Sequence, residues 1–394
     1  MMRVKKFYHR KFDGFQFEEY LLIFTATTIF LPFFFSLGAI VVVLLYLLYK
    51  GRLLPIVKQY PKAKYPLIFC VLTFCVSLYY GNNLGAICSV GILVVFLFLL
   101  FYRSIVTKRL FELIVDASCI ASLFCFAYAL LEYGSIIESL NYPGFTIEDD
   151  PLYRVNSTFF NANYYAMMIE FLILMCIYKM MNARTKRRVI FYILTIACNL
   201  MGLYLSGCRT AWIPFVITVP LMFLLNNHKR FFAATVAIMF IAVIALVIDP
   251  NLFPRADSFG IYLDTRIEIW QVAIQGIKDY PLFGQGPLTY MLTCETYQGP
   301  LTQHAHSVYL DPFLSFGISG VLLLGIYFYQ QGKEIWHLYS QKIDVRLFSL
   351  ILAFIVTVFV HGILDYTIFW VQTAQIFLLV LTAASIYTNG RHTG

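Results

Sequence analysis

The chain has 394 residues, of which 60% are hydrophobic and only 13% are charged, with a formal net charge of +8 at pH 7. Soluble globular proteins are about half apolar and about one quarter charged. This composition therefore excludes an ordinary soluble domain and favours a protein solvated by lipid. A basic N-terminal stretch precedes the first apolar run without a small-residue cleavage site, so we expect no cleaved signal peptide.

Twelve apolar segments follow one another along the chain, and most are about long enough to cross a bilayer as helices. The first two form one continuous apolar run, in which Pro32 and Gly38 favour a break because proline interrupts the helical hydrogen-bond ladder. The pattern predicts an all-α integral membrane protein with about twelve transmembrane helices in a single polytopic domain, residues 1–394. The predicted spans are 19–34, 35–49, 65–80, 83–102, 110–133, 162–181, 189–206, 210–226, 231–249, 306–330, 346–367 and 370–389.

The distribution of Lys and Arg orients these helices. Positive residues are retained on the cytoplasmic side of a membrane. With a cytoplasmic N-terminus and twelve crossings, all but five of the 29 Lys and Arg fall inside, and both termini are cytoplasmic. Orientation thus accounts for the net positive charge, and no nucleic-acid partner is required. The five outer residues are Arg154, Arg209, Arg255, Arg266 and Lys278.

Two outer loops are longer than a connection requires, 134–161 and 250–305, and long loops are often functional. In the second, Thr265 and Glu268 form a T-x-x-E capping box. The box predicts an amphipathic helix between the ninth and tenth spans, lying on the outer membrane surface or on the bundle. Arg266 would then stand in its first turn, where free backbone N–H groups favour an anion. The apolar stripe expected for this helix is Ile267, Trp270, Ile274 and Ile277.

Two histidines stand where the chain enters the tenth span. His304 and His306 serve either as interfacial polar residues or as groups that titrate near neutral pH. A His-x-His pair also suits a metal, but no carboxylate or cysteine accompanies it at an obvious ligand spacing, so we expect no metal. Asp311 either orients a histidine ring or faces water. The outer arginines either reach toward lipid headgroups or bind an anion.

Other polar residues favour structural roles. Glu170 and His361 lie in apolar spans and are expected to form hydrogen bonds between helices, and Asp365 stands four residues after His361. The acidic stretch 148–150 is expected to be a solvated turn rather than a cation site. Two outer cysteines, Cys208 and Cys294, are able to pair only if the fold brings them together. These features leave an enzyme and a transporter both open.

Four sequence blocks decide between these classes. They resemble, in order, the conserved blocks of the O-antigen ligase and polymerase superfamily, bacterial membrane glycosyltransferases of the GT-C class. Ser157, Cys208 and Ser307 depart from the family pattern, but none of the departures removes a charged or titrating group. The blocks are RVNSTFFNANYYAMMI (154–169), LSGCRTAWIPF (205–215), RIEIWQVAIQGIKDYPLFGQGP (266–287) and HAHSVYLDPFLSFGISGVLLL (304–324).

The resemblance implies a reaction and a site. Family members transfer a glycan from an undecaprenyl diphosphate carrier to an acceptor hydroxyl, with inversion and without a metal or other cofactor. His306 matches the family histidine and would act as the base, with His304 as a weaker candidate. Arginines would hold the departing diphosphate. The matching arginines are Arg209, Arg266 and Arg154, and the supporting residues would be Asp311, Trp270 and Asn163.

The resemblance leaves the acceptor open. A ligase would use a glycolipid or another glycan acceptor, as in teichoic acid or other surface polysaccharide ligation, whereas a polymerase would use a second carrier-linked chain. One dominant outer loop favours the ligase. A lipid or polysaccharide transporter is the alternative of another class, although the internal repeats expected of a transporter are not evident. The expected location is the bacterial cytoplasmic membrane, with the site facing outside and the protein a monomer.

Overall fold

The structure is a computed structural model that describes residues 14–142, 147, 150, 153–252, 255 and 259–388. Within these residues every regular element is a helix, and no strand is present. The α-helices are α1 (Phe17–Thr28), α2 (Phe33–Tyr49), α3 (Leu53–Gln59), α4 (Lys64–Tyr79), α5 (Asn83–Ile105), α6 (Lys108–Leu140), α7 (Ala162–Met181), α8 (Lys186–Leu205), α9 (Ile213–Leu225), α10 (Lys229–Ile248), α11 (Phe259–Asp279), α12 (Tyr290–Thr296), α13 (Asp311–Ser340), α14 (Val345–His361) and α15 (Val371–Thr382).

Each of the twelve predicted spans coincides with one of these helices, but their lengths differ. Seven helices of the described chain are long and apolar enough to cross a membrane. An eighth span results if α2 and α3, which are bent by 95° at their junction, count as one. The all-helical membrane class is therefore confirmed, whereas twelve crossings and cytoplasmic termini stay predictions. The seven are Pro61–Tyr79, α5, α6, α7, α8, α10 and α13.

The first apolar run is broken as its proline predicts. Helix α1 ends at Thr28, and α2 begins at Phe33 directly after Pro32. Gly38 lies inside α2 and does not interrupt it. Proline provides no backbone N–H and restricts the residue before it, so the chain turns here and then resumes as a second helix.

Helix α7 is the most enclosed of the long helices, and it packs against α6, α8, α14 and α15. Of the residues in its apolar 18-residue stretch, 89% are buried inside the protein. An apolar surface around the whole helix is typical of such a central position. Two polar residues on α7, Asn163 near its N-terminal end and Glu170 near its middle, contact residues that follow or belong to another helix rather than lipid.

The long loop contains the predicted helix, but its predicted start is wrong. Helix α11 already begins at Phe259, and the Thr265 hydroxyl donates to the Ile261 carbonyl at 3.0 Å inside the helix. A threonine hydroxyl bonds the preceding turn in this way when it lies within a helix rather than at its cap. Arg266 is consequently not in the first turn, and free backbone N–H groups do not surround it.

The buried face of α11 also differs from the predicted stripe. Ile269, Val272 and Ala273 are buried, whereas Ile267 and Ile274 are exposed. This face packs on α12 and α13, so the helix lies on the bundle. The remaining stripe residues, Trp270 and Ile277, pack at the edge of the same apolar cluster.

Helix α13 has a break, and the loop after α11 provides hydrogen-bond partners for the backbone groups that the break leaves free. Gly317 has φ 59° and ψ −174° inside the helix, a conformation that essentially only glycine adopts. The freed N–H groups of Ile318 and Ser319 donate to the carbonyls of Pro281 and Leu282, at 2.8 and 3.0 Å. Because unpaired backbone groups are costly within a bilayer, the 281–286 segment makes this break tolerable.

Replacing Gly317 tests this junction. A Cβ at Gly317 would lie 2.4 Å from the Phe283 nitrogen and would require the strained φ. We expect Gly317→Ala to destabilise the protein by about 1–3 kcal/mol, measured as a lower thermal midpoint in detergent. The matched control is Gly325→Ala on the same helix, where a Cβ meets nothing within 4 Å. Equal midpoints for the two variants would contradict the role of the junction.

Candidate functional site

A cavity of about 520 Å³ lies where the ends of several helices meet the long loop. Its wall comes from the start of α7, the turn between α8 and α9, one face of α11, the segment before α13 and the turn after α14. The four outer arginines predicted from charge all line it, together with one histidine and one aspartate. These residues are Arg154, Arg209, Arg255, Arg266, His306 and Asp365.

His306 is held by a carboxylate from a distant part of the chain. Its Nδ1 lies 2.8 Å from Asp365 Oδ1, and its Nε2 lies 2.8 Å from the Thr302 hydroxyl. The backbone of His306 has a left-handed φ of 47°, a conformation that is uncommon for a residue other than glycine. The side chain is only 14% exposed, so its ring reaches the cavity from an otherwise enclosed position.

Asp365 collects several donors. Besides His306, its Oδ2 accepts from Asn163 Nδ2 at 2.5 Å, and its Oδ1 accepts from the Tyr366 backbone N–H at 2.8 Å. Burial alone would raise the pKa of the Asp365 carboxyl, but the interaction with His306 and the charge of Arg266 hold it well below its ordinary range. The carboxylate is therefore ionised at neutral pH.

The same surroundings keep His306 neutral. Burial lowers the pKa of His306 below its ordinary value of 6.5, and this effect outweighs the opposing attraction of Asp365, while Arg266 lowers it further. A neutral ring that donates Nδ1–H to a carboxylate presents its Nε2 lone pair on the other side. The arrangement suits the acceptance of a proton inside the cavity.

His304 lies behind His306 rather than in the cavity wall. The two rings are 4.3 Å apart between centroids, and His304 Nδ1 accepts from the His306 backbone N–H at 3.3 Å. The other ring nitrogen lies 3.4 Å from the Tyr164 hydroxyl. Burial, and then the adjacent His306, which disfavours a second proton beside it, lower the pKa of His304 to about 3. This neutral histidine supports the backbone of its neighbour.

The arginines are fixed by backbone carbonyls and by an aromatic ring. Arg154 donates from Nε to the Ser206 carbonyl at 2.9 Å, and from Nη2 to Asn163 Oδ1 at 2.8 Å. Arg266 Nε donates to the Leu364 carbonyl at 3.1 Å. Neutral acceptors orient a guanidinium without cancelling its charge, so these contacts leave both side chains cationic beside the cavity.

Arg209 and Arg255 share one ring. Their guanidinium carbons lie 4.8 and 4.7 Å from the centroid of Tyr262, which belongs to α11. Arg209 Nη1 also donates to the Arg255 carbonyl, and Arg255 Nη1 donates to the Gly207 carbonyl at 3.3 Å. Arg255 lies in none of the four sequence blocks, yet it lines the cavity beside Arg209. Its only signal was membership of the small set of outer arginines.

Asp311 takes neither of its two predicted positions. It is buried and accepts from the Ala305 backbone N–H at 2.8 Å and from the Ser315 hydroxyl at 3.1 Å. It thus fixes the residue between the two histidines instead of contacting a ring or water. The partners of Asp311 are therefore backbone and a neighbouring hydroxyl, whereas the carboxylate that contacts a histidine ring is Asp365; a supporting role for Asp311 stays a prediction.

The remaining predicted residues divide between the site and its surroundings. Asn163 joins Arg154 to Asp365 and lines the cavity. Trp270 packs behind the site in the cluster shared by α11, α12 and α13. Cys208 lines the cavity whereas Cys294 is buried in that separate cluster, and both thiols are free. Of the acidic stretch 148–150, residues 148 and 149 lie outside the described residues.

The fold supplies the carboxylate that the sequence did not pair with the histidines. Within the described residues, His304, His306 and Asp365 each offer one ligand atom, and these atoms lie within 4.8 Å of one another. A carboxylate therefore accompanies the pair in space, although none stands at an obvious ligand spacing in the sequence. Asp365 stands 59 positions after His306, so local spacing carried no signal. Its Oδ1 already accepts from His306, which is how a base is oriented.

Two apolar cavities, of about 500 and 340 Å³, have walls that include residues close to the histidines. Val308 and Tyr366 line the larger one, and the Tyr366 ring lies 5.8 Å from that of His304. Trp370 lines the smaller one and stacks on Tyr164 at 4.9 Å. The site thus has a cationic side and an apolar side. Between them lies the segment before α13 that carries His304 and His306, here called the histidine loop.

Residues 194–325 match the family model described as O-antigen ligase. The match includes three of the four sequence blocks, those with Arg209, Arg266 and His306, and begins after the block with Arg154. The resemblance to the O-antigen ligase and polymerase superfamily is confirmed by this match. No curated protein matches the chain.

Proposed function

We propose that this protein of the O-antigen ligase and polymerase superfamily transfers a glycan from undecaprenyl diphosphate to an acceptor hydroxyl at the outer face of the bacterial cytoplasmic membrane. The proposal includes the twelve crossings and cytoplasmic termini predicted from charge, which direct the cavity outward. The observation that carries it is the meeting of a carboxylate-oriented histidine and four arginines in one cavity.

The histidine supplies the base. The acceptor hydroxyl takes the place of the Thr302 hydroxyl at His306 Nε2, within hydrogen-bond reach. As its oxygen attacks the anomeric carbon, its proton passes to Nε2, and Asp365 stabilises the resulting imidazolium. The bond from that carbon to the diphosphate oxygen breaks with its electron pair leaving on the diphosphate. Direct displacement of this kind inverts the configuration of the sugar.

The arginines supply the counter-charge for the leaving group. Charge accumulates on the diphosphate as the glycosidic bond breaks, and fixed cations near that position stabilise the transition state more than the ground state. Guanidinium groups remain charged at any relevant pH and grip two phosphate oxygens at once. Four of them around one cavity make a divalent cation unnecessary in the proposed reaction.

The apolar cavities suit the lipid parts of the substrates. The larger one extends along α13 from Pro312 to Ile335, and at 1.5 Å per residue this is roughly the thickness of the hydrocarbon core of a bilayer. A membrane-anchored substrate would enter there with its headgroup at the histidines. We favour a ligase because one outer loop dominates, and a polymerase of the same superfamily is the alternative that the choice of acceptor tests.

The function is tested with purified protein in detergent, an undecaprenyl-diphosphate oligosaccharide, EDTA and candidate acceptors added in turn. We expect acceptor-dependent release of undecaprenyl diphosphate, and loss of about 10²-fold to 10⁴-fold in rate for His306→Ala, because proton transfer contributes that much. His337→Ala, on α13 far from the cavity, is the matched control and should keep full activity. The productive acceptor separates ligase from polymerase.

Two results would overturn this function. Full activity of His306→Ala would remove the histidine from the reaction. Donor binding without release, under every acceptor, would favour a lipid or polysaccharide transporter. Activity that requires an added metal would contradict the counter-charge role of the arginines, and would direct attention to the cluster of His304, His306 and Asp365.

The pH dependence follows from the state of His306. The base must be neutral, so activity is present above its pKa and is lost as pH falls through it; that pKa lies below 6.5. Asp365 raises the pKa of His306, so Asp365→Asn should move the acid limb to lower pH while reducing kcat at least about tenfold through loss of orientation. A pH profile of kcat/KM measures both. An acid limb moved upward would contradict the assignment.

Arg266→Lys tests the grip on the diphosphate. The arginine uses Nε to bond the Leu364 carbonyl and directs its other nitrogens into the cavity, which a single ammonium group cannot do at once. We expect kcat/KM to fall by about 10-fold to 150-fold, the value of one or two charged hydrogen bonds. Arg187→Lys, at an exposed position on α8, should change nothing. Equal activities would exclude a geometric role for the guanidinium.

A further inference from the structure

A second histidine–carboxylate pair lies behind the cavity. His361, the last residue of α14, and Glu170, near the middle of α7, both have side chains that are 0% exposed. His361 Nδ1 lies 2.8 Å from Glu170 Oε2. Neither residue lines the cavity. The sequence accounts for such a pair as a hydrogen bond between helices, and the structure adds what the other side of the ring contacts.

The other ring nitrogen reaches the arginine turn. His361 Nε2 lies 3.4 Å from the Thr210 hydroxyl, which lies 3.4 Å from Cys208 Sγ. These two residues flank Arg209, and all three line the cavity. The ring therefore joins the central helix α7 to the turn that presents Arg209.

The backbone after His361 reaches the base. The Gly362 carbonyl accepts from the Val308 N–H at 2.8 Å, which ties the histidine loop to this turn. Leu364 then accepts from Arg266, and Asp365 pairs with His306. The end of α14 thus contacts both halves of the site, the arginines and the proton acceptor.

Burying His361 and Glu170 costs more free energy than a simple packing contact between two helices would require. Burying an imidazole and a carboxylate is unfavourable unless their bonds are strong, and apolar residues of similar size often serve a packing role as well or better. Glu170 Oε1 has no hydrogen-bond partner among the residues that the structure describes. The other buried residues on α7 from Ala162 to Tyr178 are all apolar or aromatic, so a packing requirement alone does not call for an acid here.

We propose that His361 and Glu170 form a positioning pair that sets the Arg209 turn against the Asp365 turn. Glu170 fixes the ring from α7, and Nε2 fixes the hydroxyl of Thr210, so that Arg209 and Arg266 present their guanidinium groups to one anion. Neither member of the pair touches substrate. The effect on transfer rests on the proposed function, whereas the effect on anion binding does not.

Two substitutions at one position separate the two sides of the ring. In His361→Asn the amide nitrogen stands near the place of Nδ1, which keeps the bond to Glu170 and loses Thr210. In His361→Gln the amide stands near the place of Nε2, which keeps the contact with Thr210 and loses the bond to Glu170. The matched control is Asn199→Ala, which removes a buried inter-helix bond of 2.9 Å to Ser122 away from the cavity.

The measurements are the Kd for inorganic pyrophosphate, kcat and KM for transfer, and the thermal midpoint in detergent. We expect His361→Asn to weaken pyrophosphate binding about five- to tenfold and to lower kcat similarly, the value of one hydrogen bond in a fixed geometry. His361→Gln should retain more of both at a lower midpoint. Asn199→Ala should lower only the midpoint, as a packing role requires.

Thr210→Val supplies a second route to the same contact and leaves the buried pair intact. It should weaken pyrophosphate binding as much as His361→Asn does, and the double variant should be no worse than either, because one contact is removed twice. Additive losses, or an unchanged Kd in both single variants, would overturn the proposal. If His361→Asn does not fold, the Kd of Thr210→Val alone decides.

The outcomes also separate this proposal from the function. A protein that releases no undecaprenyl diphosphate under any acceptor, but whose pyrophosphate affinity falls in His361→Asn and Thr210→Val, retains the positioning pair and loses the transferase. A protein that transfers glycan normally in both variants, with an unchanged Kd, retains the transferase and loses the pair.

Discussion

The site depends on one buried carboxylate. Asp365 is ionised in an enclosed position, which is favourable only because several donors converge on it. Those donors come from separate parts of the chain: His306 from the loop before α13, Asn163 from the start of α7, and the backbone of Tyr366. A single negative group thereby brings together segments that the sequence separates by up to about two hundred positions.

A second constraint comes from the solvent. Backbone groups must be paired internally wherever the chain is within lipid. At the break at Gly317 this condition is met because the carbonyls of Pro281 and Leu282 accept the freed N–H groups. In the other direction, the Ser315 carbonyl accepts from the Gly286 N–H at 2.8 Å. The glycine-rich end of the third sequence block is therefore a docking element. It fixes α11, and with it Arg266 and Tyr262, at the height of the histidines.

The sequence indicated the apolar helices and the arginines that line the cavity. Apolar length predicted the long apolar helices, because burial in lipid is decided by composition over about twenty residues. The arginines that charge counting singled out all line one cavity, and their binding of an anion stays a prediction. What it did not predict were pairings across the fold: Asp365 with His306, Asp311 with the Ala305 backbone, and Tyr262 between two arginines. A long-range contact leaves no periodic signal in one sequence.

The capping box at Thr265 and Glu268 does not mark the start of α11, which shows that a local motif predicts a helix start less well than tertiary contacts determine it. Thr265 and Glu268 satisfy the spacing of a capping box, but α11 gains more by extending back to Phe259 and packing Ile269 and Ala273 on α12 and α13. Tertiary burial determines where a helix begins when a cap contributes only about 1 kcal/mol. In the proposed reaction, Arg266 would consequently act through its own guanidinium rather than through a helix end.

In the proposed reaction, the two halves of the site control each other through charge. Arg266, one of the arginines that would hold the diphosphate, also lowers the pKa of His306, after burial. Burial and this charge therefore keep the base neutral and only weakly basic. A bound diphosphate would offset that positive field, and the pKa of the nearby imidazole would rise. The histidine would then become the stronger proton acceptor only when the donor is in place, and Asp365 would hold it in the correct tautomer throughout.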